Sequence, residues 1–278
     1  MKRWALILCL IILGCLGLIF YWRQIALNKF KVVFFSIGQG DSALINFSDG
    51  QKMLVDCGPD SKILNKLGER MPFYDRTIDY LLITHFDLDH YGGCVDVLRR
   101  YLVLNIITNG QIKPTDKYYQ SLVDYAGQEN AKQIVIDKRQ NWIFGSARVN
   151  FIWPQAQYAD DFKNDGNNQS IVFKLENAGR SLLFVGDLEA PVEEFLVEKF
   201  CPSVGVCPIL QAQILKVGHH GSESSSSEIF LQAVRPQTAV ISVGQNRFGH
   251  PSLRVLTRLE RVGANIWRTD EQGDYEYN

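Results

Sequence analysis

Residues 85–90 read His-Phe-Asp-Leu-Asp-His, and the glycines Gly92 and Gly93 follow almost at once. The whole chain carries five histidines, so two within one short stretch need a chemical reason. Imidazole and carboxylate are donors for divalent cations: imidazole suits zinc, and carboxylate suits harder ions such as manganese. In an extended chain the two-residue alternation puts His85 and Asp87 on one side and lets Phe86 and Leu88 turn inward, while Asp89 and His90 open the next turn. Two pairs offset in this way can hold two cations, and the glycines let backbone pass close to whatever is bound. The bland reading, a polar loop capping a helix, accounts for the acids but not for the histidines.

The other histidines repeat the pattern. His219 and His220 lie in Val217-Gly-His-His-Gly-Ser222, and His250 lies between Gly249 and Pro251, each beyond an apolar run. Leu182-Leu-Phe-Val-Gly-Asp187 is a further apolar run ending in Gly-Asp, so Asp187 either bridges two metals or caps the helix that follows. In α/β folds, sites assemble at such strand ends.

The elements needed to present these residues are legible as alternating runs. Strands are expected at 31–38, 42–48, 52–58, 80–84, 103–108, 133–137, 147–153, 170–175, 181–185, 213–217 and 238–243. Helices are expected at 61–70, 92–102, 117–126 and 189–200, then after a capping box Ser225-x-x-Glu228, and from about Ser252 with Pro251 at the first helical position. No linker or repeat divides this stretch, so residues 30–278 read as one α/β domain with sheets inside and helices outside. Residues 1–29 read as a separate element: after Lys2 and Arg3, positions 4–22 are uninterrupted apolar residues, which at ~1.5 Å each match the hydrocarbon thickness of a bilayer. A single uncleaved anchor follows, with lipidation of Cys15 as the alternative. Charges on both flanks leave its orientation open. Of the six cysteines, Cys201 and Cys207 flank a short loop and could pair, whereas Cys57 and Cys94 read as buried free thiols.

Taken together these stretches resemble the metallo-β-lactamase superfamily, and within it the hydrolase domain of ComEC-type competence proteins. The resemblance rests on Gly38-Gln-Gly-Asp41, Leu54-Val-Asp56, the opening stretch, Phe184-Val-Gly-Asp187, Leu215-Lys-Val-Gly-His-His-Gly-Ser222, Gly249-His-Pro-Ser252 and Arg268-Thr-Asp270. It implies an αββα four-layer sandwich preceded by one transmembrane helix. It further implies two divalent ions, zinc or alternatively manganese, one held by His85 and Asp87, the other by Asp89, His90 and His220, with Asp187 between them. Many relatives have a histidine before the Gly-Asp strand; here that region reads Gly166-Asn-Asn-Gln-Ser170, so Asn168 and Ser170 become candidates to face the first metal or the substrate.

The chemistry implied is in-line displacement at phosphorus by a water made acidic between two cations. Asp89 and Asp187 would orient that water, and His219 and His250 would bind phosphoryl oxygens or protonate the leaving group. A net charge of −1 excludes a global basic field. Locally, however, Arg247, Arg254, Arg258 and Arg261 cluster around His250, and Arg247 and Arg254 are candidate substrate contacts that could follow a phosphate backbone. The reading is a phosphodiesterase or nuclease acting on DNA outside the cytoplasm, on a single-pass anchor in the cell membrane. A channel, if DNA is imported, would be a separate partner. Hydrolysis of small phosphoesters or surface phosphocholine is one alternative, and a non-catalytic DNA-uptake subunit is another.

Overall fold

The computed structural model describes residues 29–278 apart from 163–165 and 204–205, together with Trp4, Ile12, Gly14, Cys15 and Gly17. The anchor expected at 1–29 thus falls almost wholly outside the described residues. Among the described residues no helix is long and apolar enough to cross a membrane.

Two seven-stranded sheets form the centre. The first is built from β1 (Lys31–Phe34), β2 (Ala43–Asn46), β3 (Lys52–Val55), β4 (Thr77–Leu82), β5 (Leu102–Thr108) and β6 (Lys132–Val135), which lie side by side in that order. The second contains β7 (Gln140–Phe144), β8 (Ala147–Trp153), β9 (Val172–Asn177), β10 (Arg180–Phe184), β11 (Ile214–Lys216), β12 (Thr238–Ile241) and β13 (Asn265–Arg268). The last strand, β14 (Tyr275–Tyr277), returns to the first sheet beside β1. Strands β3 to β6 pair in parallel, as do β10 to β13, so their carboxyl ends share one edge within each sheet.

Alternation along the strands produces the layers. Val32 and Phe34 enter the core between the sheets, while Val33 and Phe35 face the outer helices. Leu182 and Phe184 likewise point inward, and Leu183 and Val185 pack against the helices Ala190–Phe200, Glu228–Val234 and Leu253–Arg261. The stacked Phe34, Phe184 and Phe173 rings join the two sheets, with centroids 5.1 and 4.6 Å apart. Three apolar cores between four layers result, as expected. Strands β7, β13 and β14 lie outside the expected set. Each is an edge or next-to-edge strand whose residues are largely half-buried or exposed, so their apolar pattern is weak.

Local expectations change at two helix starts. Ser225 does not form a capping box; its hydroxyl donates to the Gly218 and Ser222 carbonyls. The N–H groups of Ser226 and Ser227 are instead received at 2.7 Å each by the buried carboxylate of Glu193 from the neighbouring helix. Pro251 lies outside the following helix, whose N-cap is Ser252.

Burial pushes the Glu193 carboxyl up to about 7, against the two N–H donors that favour its charge. A carboxyl whose folded-state pKa is raised contributes stability fully present below its unfolded value and lost as pH rises through the folded value. Glu193→Gln therefore flattens the pH profile: relative to wild type, the variant gains up to about 3 kcal/mol between about pH 4.5 and 7, measured by urea unfolding at several pH values.

Cys57 and Cys94 are not free thiols. They form a disulfide across 37 residues, because the turn after β3 and the helix Cys94–Leu98 lie side by side, with the Gly93 N–H donating to the Gly58 carbonyl at 2.9 Å. Cys201 and Cys207 pair as well. Closing a loop of that length removes unfolded-state entropy, so replacing Cys57 and Cys94 together by alanine costs about 4 kcal/mol in denaturant unfolding. Reductant should destabilise the wild type by more than the double variant, which keeps only the short Cys201–Cys207 loop closed.

Candidate metal centre

Four strand ends from the two sheets converge. His85 follows β4, Asp187 follows β10, His219 and His220 follow β11, and His250 follows β12. Asp87 is the N-cap of a short helix, Leu88–Tyr91, which turns Asp89 and His90 toward Asp187. Because that helix begins at once, Leu88 is 47% exposed and only Phe86 turns inward.

Asp187 lies at the centre. Its Oδ1 is 3.2 Å from His90 Nε2, and its Oδ2 is 3.4 Å from His220 Nε2 and 3.9 Å from His219 Nε2. His220 Nε2 is also 3.1 Å from Asp89 Oδ2. Asp89, His90, Asp187 and His220 thus offer donor atoms within 4.8 Å of one another. His85 sits beside this group, its ring centre 4.1 Å from that of His90 and its Nε2 3.8 Å from Asp87 Oδ2. Asp87 is half-exposed and also paired with Lys113 at 2.8 Å.

The donors fit divalent cations. His85 Nε2, His90 Nε2 and Asp187 Oδ1 are buried without a hydrogen-bond partner, which costs stability unless an ion completes them. Burial, and then the neighbouring His90 charge, bring the His85 imidazole down to about 3. Burial opposes charge on Asp187 too, but His220 and His90 hold it well below the carboxylate range. Those histidines are raised in turn, chiefly by Asp187, against their own burial. The net effect is an ionised Asp187 ringed by imidazoles.

Three residues without a prior role brace this set. Asp56, at the end of β3, accepts from the Thr84 N–H at 2.8 Å, the Thr84 hydroxyl at 2.7 Å and His90 Nδ1 at 2.9 Å. Asp41 lies 3.4 Å from His220 Nδ1 and pairs with the buried Lys216, which also donates to the Gly186 carbonyl. The Asp41 N–H donates to the Asp89 carbonyl, an approach that only Gly40 permits, since a Cβ there would lie 2.3 Å from that oxygen. Gly92 and Gly93 serve the same purpose rather than approaching a ligand: Cβ atoms there would meet the Pro59 and Cys57 carbonyls at 2.4 Å. The stretches containing Asp41, Asp56 and Lys216 are visible in the sequence; which ligand each one braces is not.

Other expected contacts fall differently. Ser170 is fully buried, with its hydroxyl 3.3 Å from His85 Nδ1 and accepting the Asp187 N–H at 3.1 Å. Asn168 is buried, and its Oδ1 accepts the Glu189 N–H. Both support the loops that carry His85, Asp187 and Glu189. Arg254 is paired with Glu223, Arg261 with Glu228 at 2.8 Å, and Arg258 donates to the Ser225 and Ser226 carbonyls. Two of the three arginines of the helix thus face a carboxylate, and Arg258 keeps its charge. His219 and His220 both occupy the left-handed region, with φ of 47° and 51°, strain of the kind held at functional sites. His219 Nδ1 lies 2.9 Å from Glu189 Oε1, and its ring centre is 5.5 Å from that of His250.

Comparison with known proteins agrees with this geometry. Residues 36–132 match the family model of the metallo-beta-lactamase superfamily. Over 268 residues the chain is 31% identical to ComE operon protein 3 of Bacillus subtilis, covering 89% of this chain and 33% of that protein. It is 32% identical over 263 residues to competence protein ComA of Neisseria gonorrhoeae, covering 90% and 32%. The chain thus spans about one-third of the length of these relatives. The metallo-beta-lactamase fold protein YhfI from Bacillus subtilis shares the fold, with a TM-score of 0.57 at 12% identity, covering 90% of this chain and 100% of that one. The chain therefore carries a metallo-β-lactamase superfamily domain and is related, over most of its length, to ComEC-type competence proteins.

Proposed function

We propose that the protein is a membrane-tethered phosphodiesterase that cleaves DNA outside the cytoplasm. The observation that carries the reading is the convergence of His85, Asp87, Asp89, His90, Asp187 and His220, with unpartnered donor atoms buried at its centre. These residues would hold two divalent cations, zinc or manganese, which when bound would supply Lewis acidity and lower the pKa of a bound water. Asp89 and Asp187 orient the nucleophile. His219 turns Nδ1 to Glu189 Oε1 and Nε2 toward Asp187, so its imidazole is placed to meet the leaving oxygen at the centre. His250, beside His219, binds a phosphoryl oxygen.

DNA as substrate is supported by the kinship with competence proteins. Tethering is supported by the apolar run at residues 4–22, and a place outside the cytoplasm by the two disulfides. Import would need a channel partner.

Asp89→Asn keeps the side-chain shape and removes the charge that faces His220. We expect kcat/KM for bis(p-nitrophenyl) phosphate, with zinc or manganese supplied, to fall by about 10²-fold. Full activity in that variant would end the phosphodiesterase reading.

A further inference from the structure

All five histidines of the chain belong to one path of rings that leaves the metal centre. Centroids are 4.1 Å apart from His85 to His90, 5.3 Å from His90 to His220, 6.2 Å from His220 to His219, and 5.5 Å from His219 to His250. The next ring, 5.7 Å from His250, is Phe248, which is 65% exposed. The Arg247 guanidinium lies 5.8 Å from the centre of that phenyl ring.

A single exposed phenylalanine is ordinary. The mounting of this one is not. Asn246 Oδ1 accepts the N–H groups of Phe248 and His250 at 3.0 and 3.1 Å, and its amide nitrogen donates to the Gly244 and His250 carbonyls at 2.9 and 2.8 Å. At its root the loop presses on the loop that follows β1, since a Cβ on Gly244 would come within 2.4 Å of the Gly38 backbone. The ring is thus presented to solvent by a stiff loop. Arg247, unlike Arg254, Arg261 and Arg268, pairs with no carboxylate among the described residues.

An aromatic ring beside a guanidinium that pairs with no carboxylate among the described residues fits one ligand chemistry well: an unpaired nucleobase attached to a phosphate. We propose that Phe248 is the stacking platform for the base next to the scissile phosphate of a single-stranded nucleic acid, with Arg247 on the adjoining phosphate. A duplex is a poor occupant, because a paired and stacked base has no free face. The inference rests on the phosphodiesterase reading and names the form of substrate that the site takes.

The test compares the full, metal-loaded chain with Phe248→Ala and Phe248→Trp on two polymers of equal length, oligothymidylate and an abasic deoxyribose-phosphate chain. Loss of one stacked base raises the Phe248→Ala KM for oligothymidylate about tenfold, with kcat held within about twofold. Phe248→Trp restores the KM, and neither variant alters hydrolysis of the abasic chain. An unchanged KM on oligothymidylate, or an equal rise on the abasic chain, overturns the platform while leaving the hydrolase intact. If wild-type protein cleaves neither polymer nor bis(p-nitrophenyl) phosphate, the phosphodiesterase reading itself fails and takes the platform with it.

Discussion

Asp187→Asn lowers metal-dependent hydrolysis of bis(p-nitrophenyl) phosphate by about 10³-fold or more in kcat/KM, the largest effect expected of any single substitution. The size follows from position. Asp187 places one carboxylate oxygen on His90 and the other on His220. Asparagine keeps the shape and the backbone N–H bond to Ser170, but it removes a full charge and turns one oxygen into a donor facing imidazole. Because the side chain is buried at 3% exposure, water cannot compensate. A thermal melt separates this loss from unfolding: the variant should melt cooperatively, and its activity should not return with excess metal. Activity within about tenfold of wild type would show that the carboxylate does not bridge the centre.

The second large effect comes from Asp56, which touches no reacting group. Asp56→Asn should weaken divalent-ion affinity by about 10- to 100-fold while kcat at saturating metal changes less. The carboxylate holds His90 Nδ1 and both Thr84 donors, which fixes the imidazole with Nε2 toward Asp187. The amide introduced by the substitution would have to present an N–H to one of these donors. Asp56 sits at φ 54°, a conformation asparagine tolerates, so the variant changes the hydrogen bonds without adding backbone strain. Calorimetric titration of the metal-stripped protein with zinc measures the effect. Unchanged affinity would reduce Asp56 to a structural strut.

The candidate ligands are nameable from the sequence because histidine is scarce, its positions fall at strand ends and the stretches resemble a known family. Asp89, His90, Asp187 and His220 lie with donor atoms within 4.8 Å of one another, and His85 and Asp87 lie beside them. What braces them is not legible, because that depends on which strands become neighbours. Parallel pairing of β3 with β4 sets Asp56 beside Thr84, and no local pattern encodes that pairing. The same holds for Cys57 and Cys94, whose partnership is a consequence of topology. The arginine helix is readable, but its partners are not: Glu223 and Glu228, which pair with Arg254 and Arg261, come from the segment before it. The cap on the helix Glu228–Val234 likewise comes from Glu193, distant in sequence, rather than from the neighbouring serine.

Anomalous diffraction from crystals grown with zinc or manganese tests the central claim directly, because it locates ions without reference to activity. Two peaks should flank Asp187, one beside His85 and Asp87 and the other within bonding reach of Asp89, His90 and His220. An ordered domain with no peak there, under conditions that load other surface sites, would contradict the metal centre and every functional step built on it.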